Sequence, residues 1–384
     1  MNEDWRNGGF GLYVHWPFCA SKCPYCDFNS HVVGEVDHAR WAKALCSEVG
    51  RVGALTRGRV LSSIFFGGGT PSLMAPETVS AVIEAARGYW HFANDIEITM
   101  EANPGSVEAG RFAAYAQAGV NRVSLGVQAL NDTDLRRLGR LHSVNDARRA
   151  FDLAKTHFDR VSFDLIYARQ DQSLSAWRAE LREAVAMAVD HLSLYQLTIE
   201  EGTMFGARHA RGLLRGLPED DLAADMYLET NDFLSGIGMP AYEVSNHARP
   251  GCESRHNLIY WRQGDWAAVG PGAHGRLTLN ESRTSTVAES LPARWLSRVE
   301  TEGCGDIEND RLAPGEIATE YLLMAMRLSE GMDVARYAAL GGKFDEKRLA
   351  RLIDDGLVIA KAGRLSASST GRPVLNYVLR EMAG

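Results

Sequence analysis

The chain has 384 residues, 45% hydrophobic and 23% charged, an ordinary globular composition that suits one domain of roughly 250 residues and a second of about 70. Its formal net charge of −8 argues against a general nucleic-acid surface, which usually needs a basic patch. The opening MNEDWRNGGF is not a signal peptide, and no stretch reaches the roughly 18 uncharged apolar residues of a membrane span.

Taken in chain order, apolar strand-like runs alternate with helix-like stretches. Leu12–Trp16 reads as a strand ending in Pro17-Phe18-Cys19. Asp37 can cap a helix through Trp41, Leu45 and Val49 that stops near Gly50. Ser63–Phe66 leads into Gly67-Gly68-Gly69-Thr70, and Pro76 suits the first turn of the next helix. Glu97–Glu101 is followed by Ala102-Asn103-Pro104, and Arg122–Val127 by Gln128. Ser143 with Asp146 resembles a capping box for a helix to about His157. Val161–Ile166 carries Asp164, Leu174–Ala188 reads as helix, and His191–Thr198 ends before Glu200 and Glu201. A helix over Leu222–Leu234 and a weaker seventh strand, Ala241–Val244, complete the series.

Such alternation implies a parallel sheet with right-handed crossovers. The expected fold is α/β: a partial parallel (β/α)6-type TIM-like barrel over residues 1–310. Active sites in such barrels lie at the C-terminal strand ends, where these carboxylates, glycines and the Gln128 amide converge if the strands align. From about Pro314 two or three helices precede short strands at Leu357–Ala360 and Leu365–Ala367 and a last helix over Val374–Leu379. This reads as a small winged-helix-like domain, residues 311–384. Its 11 Lys and Arg against 9 Asp and Glu favour a packing or lid role over DNA binding.

Six cysteines in a chain expected to be cytoplasmic are better read as metal ligands or core residues than as disulfides. Cys19, Cys23 and Cys26 form CxxxCxxC. Three thiolates in so short a loop can wrap one inorganic cluster, and a cubane of four irons then keeps one iron open to an outside ligand. Zinc is the alternative, but structural zinc usually takes four protein ligands, and only His15 and His31 stand nearby. Cys46 sits at a core-facing helical position, while Cys252 and Cys304 have no partner spacing.

With Tyr25 before its last cysteine, the motif resembles the radical S-adenosylmethionine superfamily signature. That resemblance implies a [4Fe–4S] cluster, S-adenosylmethionine chelated to its open iron, and cleavage of the sulfonium to a 5′-deoxyadenosyl radical. If cleavage occurs, an electron donor such as flavodoxin or ferredoxin is implied. The phrases YVHWPFC, CPYCDF, FFGGGTPS, MEANPG, SLGVQ and SFDLIY are similar to the coproporphyrinogen-dehydrogenase-like branch. By that resemblance Tyr13, Tyr25, Gly68, Gly69, Thr70, Glu101, Gln128, Arg140 and Asp164 contact S-adenosylmethionine. A carboxylate would meet the methionine ammonium or the ribose, and Arg140 the methionine carboxylate.

Two functions lie within that branch. Oxygen-independent dehydrogenases, which convert coproporphyrinogen III to protoporphyrinogen IX, have a further cysteine directly after the motif and a longer N-terminal segment. That cysteine makes a CxC pair with the last of the motif; here Asp27 and Phe28 follow Cys26, and 18 residues precede Cys19. The haem chaperones of the branch resemble the chain better, which implies binding of haem and its transfer to acceptor haemoproteins. Their HNxxYW stretch matches His256-Asn257-Leu258-Ile259-Tyr260-Trp261. An imidazole can bind iron while rings pack on the macrocycle, so His256 is the expected haem contact and His274 its rival. Arg255 and Arg262 are the expected partners of the propionates.

Overall fold

The first strand, β1 (Phe10–Trp16), is buried along nearly its whole length, as a strand covered on both faces must be. It belongs to an eleven-stranded sheet. The other strands are β2 (Val60–Gly68), β3 (His91–Ala102), β4 (Arg122–Gln128), β5 (Arg160–Tyr167), β6 (His191–Gln196), β7 (Asn246–Ala248), β8 (Asp265–Val269), β9 (His274–Leu279), β10 (Ser282–Ala288) and β11 (Asp306–Arg311). Their order is β11-β10-β9-β8-β1-β2-β3-β4-β5-β6-β7. The computed structural model describes residues 3–106 and 109–383.

Strands β8 and β1 to β6 run parallel, and β7 closes one edge antiparallel. The result is the expected partial barrel, extended by an antiparallel meander, β8 to β11. All six expected parallel strands are present. The seventh is not where the apolar run suggested: Ala241 makes only an isolated bridge to His247, and the edge strand is Asn246–Ala248. The real additional parallel strand is β8, which pairs beside β1 from far along the chain.

The helices follow their caps. Asp37 accepts from Arg40 N, Pro76 opens helix Pro76–Tyr89, and Ser143 with Asp146 forms a complete capping box. The first helix does not stop at Gly50 but runs over His38–Leu55. Its glycines serve packing instead, since a Cβ on Gly53 would lie 2.5 Å from the Tyr89 ring.

The main core gathers Leu12, Val14, Ile64, Phe66, Met100, Phe163 and Trp177 between sheet and helices. A second core, with Tyr321, Leu322, Leu352, Leu365 and Val378, fills the C-terminal part. There, helices Pro314–Ala325, Val334–Ala339, Glu346–Asp354 and Leu375–Ala383 pack with a three-stranded sheet whose hairpin is Val358–Lys361 and Arg364–Ala367, a winged-helix arrangement. Among the described residues no helix is long and apolar enough to cross a membrane.

Candidate cluster and cofactor site

Strand β1 delivers the cysteine loop to the C-terminal face of the barrel. Two short strands, Phe18–Cys19 and His31–Val32, pair and close the loop at its base. Thr70 N donates to Phe18 O at 2.8 Å and Gly69 N to Trp16 O at 2.7 Å, which binds the loop to the end of β2. This explains the glycines: a Cβ on Gly69 would lie 2.8 Å from Phe18 O, and one on Gly68, at φ +111°, 2.6 Å from the His15 ring.

Cys19, Cys23 and Cys26 open into one cavity of about 140 Å³, together with Tyr25, Gly68, Gly69, Thr70, Glu101, Gln128, Arg140 and Asp164. Eight of the ten residues expected to bind cofactor thus meet the three cysteines. Hydrogen-bond donors aim at the sulfurs. Thr70 Oγ1 donates to Cys19 Sγ at 3.3 Å, and Arg140 Nη1 to Cys23 Sγ at 3.2 Å. Burial pushes the Cys19 and Cys26 thiols up, so a bound cation is what would favour their thiolates. Among the described residues no three His, Cys, Asp or Glu groups converge on a single metal ion.

The polar wall opposite comes from β3, β4 and β5. Glu101 accepts from Gly68 N at 3.3 Å, and Ser124 Oγ donates to Asp164 at 3.3 Å. Burial, then the charge of Asp164, raises Glu101 to about 8, while burial raises Asp164 to about 6. Both carboxyls therefore carry a proton readily and await a cationic or hydroxyl-bearing ligand. Arg140 Nη2 donates to Gly126 O at 2.8 Å, and its buried Nε has no partner. That orphan donor, on a guanidinium facing the cavity, fits a carboxylate. Gln128, at φ 72°, ends β4 at a register shift that turns it into the cavity.

Tyr13 and His256 stand apart. Tyr13 lines a second, wider cavity of about 570 Å³ that shares Phe28, Gly68 and Glu101 with the first. Tyr260, Trp261, Trp266, His274 and Met324 also line it. His256 lines neither. It is 1% exposed, and both ring nitrogens are engaged, Nδ1 with Ser63 Oγ and Nε2 with Tyr260 Oη, each at 2.7 Å. Its ring stacks on Phe65. The expected haem contact is thus a core residue that fixes Tyr260. Arg255 and Arg262 are likewise spoken for, paired with Asp95 at 2.6 Å and Glu330 at 2.8 Å. Glu200 and Glu201 are exposed and line neither cavity.

Several supporting residues carried no sequence signal. Asn29 donates through its amide to Pro271 O and Ser290 O, both at 2.9 Å, tying the cysteine loop to the turn before β9 and the turn after β10. His15 bridges Tyr13 Oη and Asn29 O, each at 2.9 Å. Phe205 N donates to Pro24 O at 2.8 Å, which props the loop from the far side. Only the ST-type N-cap at Thr203 could have announced a helix there.

Residues 13–181 match the Radical SAM superfamily and residues 292–374 the HemN C-terminal domain. The heme chaperone HemW of Escherichia coli is 37% identical over 374 residues, covering 96% of each chain. The chain belongs to the HemW branch of the radical S-adenosylmethionine superfamily. HemW of Haemophilus influenzae is 42% identical over 96% of each chain. The mouse mitochondrial radical S-adenosyl methionine domain-containing protein 1 is 38% identical over 96% of this chain and 86% of its own. Among solved structures, the Escherichia coli radical SAM enzyme coproporphyrinogen III oxidase HemN superposes with a TM-score of 0.82 at 21% identity, over 98% of this chain and 92% of its own. That last likeness speaks for the fold. Membership in the superfamily implies a [4Fe–4S] cluster and S-adenosylmethionine.

Proposed function

We propose that this protein is a haem chaperone: it binds haem and passes it to acceptor haemoproteins. The reading assigns a [4Fe–4S] cluster to Cys19, Cys23 and Cys26. It assigns S-adenosylmethionine to Tyr13, Tyr25, Gly68, Gly69, Thr70, Glu101, Gln128, Arg140 and Asp164, with Arg140 for the methionine carboxylate. Once bound, the cluster supplies a coordination site for the methionine end and an electron for the sulfonium. The chain's own residues do the rest. Thr70 and Arg140 hydrogen-bond sulfur, Glu101 and Asp164 hold or release protons beside the cofactor, and Phe28 lines both this space and the wider cavity. If the sulfonium is cleaved, a donor such as flavodoxin or ferredoxin provides the electron. The reading also keeps residues 1–310 as the barrel with its HNxxYW extension and 311–384 as the winged-helix-like domain. It keeps a cytoplasmic setting, with which six free cysteines agree.

One observation carries the proposal. A cavity of about 570 Å³, walled by five aromatic rings, two histidines and a methionine, adjoins the cluster site across Gly68 and Glu101. Its volume lies in the range of small-molecule and cofactor sites, roughly 300–1,000 Å³, and its lining suits a flat apolar macrocycle with a metal at its centre. Full-length identity with proteins named heme chaperone favours haem over a reacting porphyrinogen. The alternative, oxidative decarboxylation of coproporphyrinogen III, draws support from the HemN-like fold, while Asp27 and Phe28, where CxC would bring a further cysteine, speak against it. Anaerobic reconstitution with iron and sulfide, then haem titration and a coproporphyrinogen III assay on the same sample, separates the two. Haem binding without turnover is expected. Turnover to protoporphyrinogen IX would make the protein a dehydrogenase.

A further inference from the structure

Three histidines lie in or beside the wide cavity, and only one is free to meet a metal. His256 is closed off by Ser63 and Tyr260. His15, 5% exposed, has both nitrogens engaged by Tyr13 and Asn29. His274 opens β9, is exposed, and lines the cavity. Its backbone is held by Trp266 Nε1, which donates to His274 O at 2.8 Å, while no hydrogen bond engages its ring among the described residues. A neutral imidazole with a free nitrogen is the commonest protein ligand of iron. Met324, on the helix Pro314–Ala325, brings the cavity's one thioether among the described residues.

A second feature is independent of the first. Trp261 lines the cavity, yet its buried Nε1 has no hydrogen-bond partner. The Arg327 guanidinium lies over the same indole, 5.4 Å from its centroid. Arg327 makes no ion pair among the described residues, and its buried Nε is also without a partner. Trp261 stands in the cavity wall and Arg327, just outside the lining, stacks on its ring; two orphan donors and an unneutralised cation side by side are the groups a ligand carboxylate would satisfy.

We infer that His274 is the axial ligand of haem iron in this cavity and that Arg327 with Trp261 Nε1 receives a haem propionate. This rests on the haem-chaperone reading and specifies its site, with the Met324 thioether in the same cavity. The assignment replaces His256, whose role is to hold Tyr260 in the cavity wall, and it replaces Arg255 and Arg262 at the propionates. It also gives the C-terminal part a task. Met324 lies in the last turn of the helix Pro314–Ala325 of the second core and Arg327 two residues past its end, so the haem site needs both cores assembled.

The test uses the full-length, cluster-reconstituted protein under anaerobic conditions, titrated with ferric haem and followed by difference absorption and EPR. His274→Ala is expected to weaken haem binding at least tenfold and to abolish the wild-type ligand-field signature, and added imidazole is expected to restore it. His256→Gln is expected to keep that signature. Arg327→Met is expected to weaken haem several-fold without moving the Soret band, and to leave the affinity for haem dimethyl ester, which lacks propionate charges, at the wild-type value. An unaltered signature in His274→Ala would overturn the ligand assignment. Equal loss of haem and of its dimethyl ester in Arg327→Met would overturn the propionate assignment. Failure of the wild type to bind haem would instead overturn the chaperone reading itself.

Discussion

Arg140 touches both the cluster loop and the end of β4, donating to Cys23 Sγ and to Gly126 O. Its planar fork serves two acceptors at once and keeps Nε for a third, which a lysine ammonium cannot reproduce. Arg140→Lys is therefore expected to load the cluster but to weaken S-adenosylmethionine at least tenfold, about 1.4 kcal/mol, read by anaerobic calorimetry. Unchanged affinity would remove Arg140 from the cofactor site. Glu101 offers a pH signature. Burial raises its carboxyl to about 8, so from the ordinary carboxyl range up to that value the folded protein keeps a proton that the unfolded chain has released. Stability of the cofactor-free protein then falls as pH rises through this window. Glu101→Gln, which cannot ionise, is expected to melt above the wild type near pH 8 and close to it near pH 5. Parallel melting curves at both pH values would show that Glu101 titrates normally.

The helices His38–Leu55 and Pro76–Tyr89 show how an element can be legible and its reason hidden. Asp37, Pro76 and the Ser143–Asp146 pair gave the starts of helices because a cap is a local interaction, written within four residues. Gly50 looked like a stop because its partner, Tyr89, lies 39 positions away and cannot be seen in a local pattern. Two alanine substitutions on this helix pair should therefore diverge. At Gly53 the added methyl meets the Tyr89 ring at 2.5 Å, and overpacking is expected to cost about 1–3 kcal/mol. At Gly88 nothing lies within 4 Å, so Gly88→Ala is expected to stabilise by about 0.5–1 kcal/mol through helix propensity. Urea unfolding reads both, and two changes of the same sign would contradict the packing account.

At the scale of the whole molecule, six parallel strands were readable because strands buried on both faces are continuous apolar runs. Strand β8 was not, since its place beside β1 is a pairing over some 250 residues of chain. The same distance hid the groups proposed to meet haem: Trp261 and His274 could be suspected from sequence, but only folding brings Arg327 and Met324 near them. It also hid the charge network that joins the parts. Asp265, fully buried, accepts from Arg59 Nη1 at 2.7 Å and Arg283 Nη1 at 2.8 Å. Arg283 continues to Glu320 at 3.5 Å, on the helix Pro314–Ala325 of the second core, and Glu320 also holds Arg276 at 2.8 Å. Removing the central anion would leave two largely buried guanidiniums short of counter-charge, a situation that costs about 3–5 kcal/mol. Glu320 is more exposed and shares Arg283 with Asp265, so its loss should cost much less. Asp265→Ala is thus expected to lower the urea midpoint sharply and Glu320→Ala only slightly. Because the network ties Arg59 of the barrel to the C-terminal helix, Asp265→Ala should also weaken haem, whose proposed site draws on both cores, while the cluster on its local loop still assembles. Loss of cluster and haem together would show that Asp265 holds the barrel as a whole rather than the join between its parts.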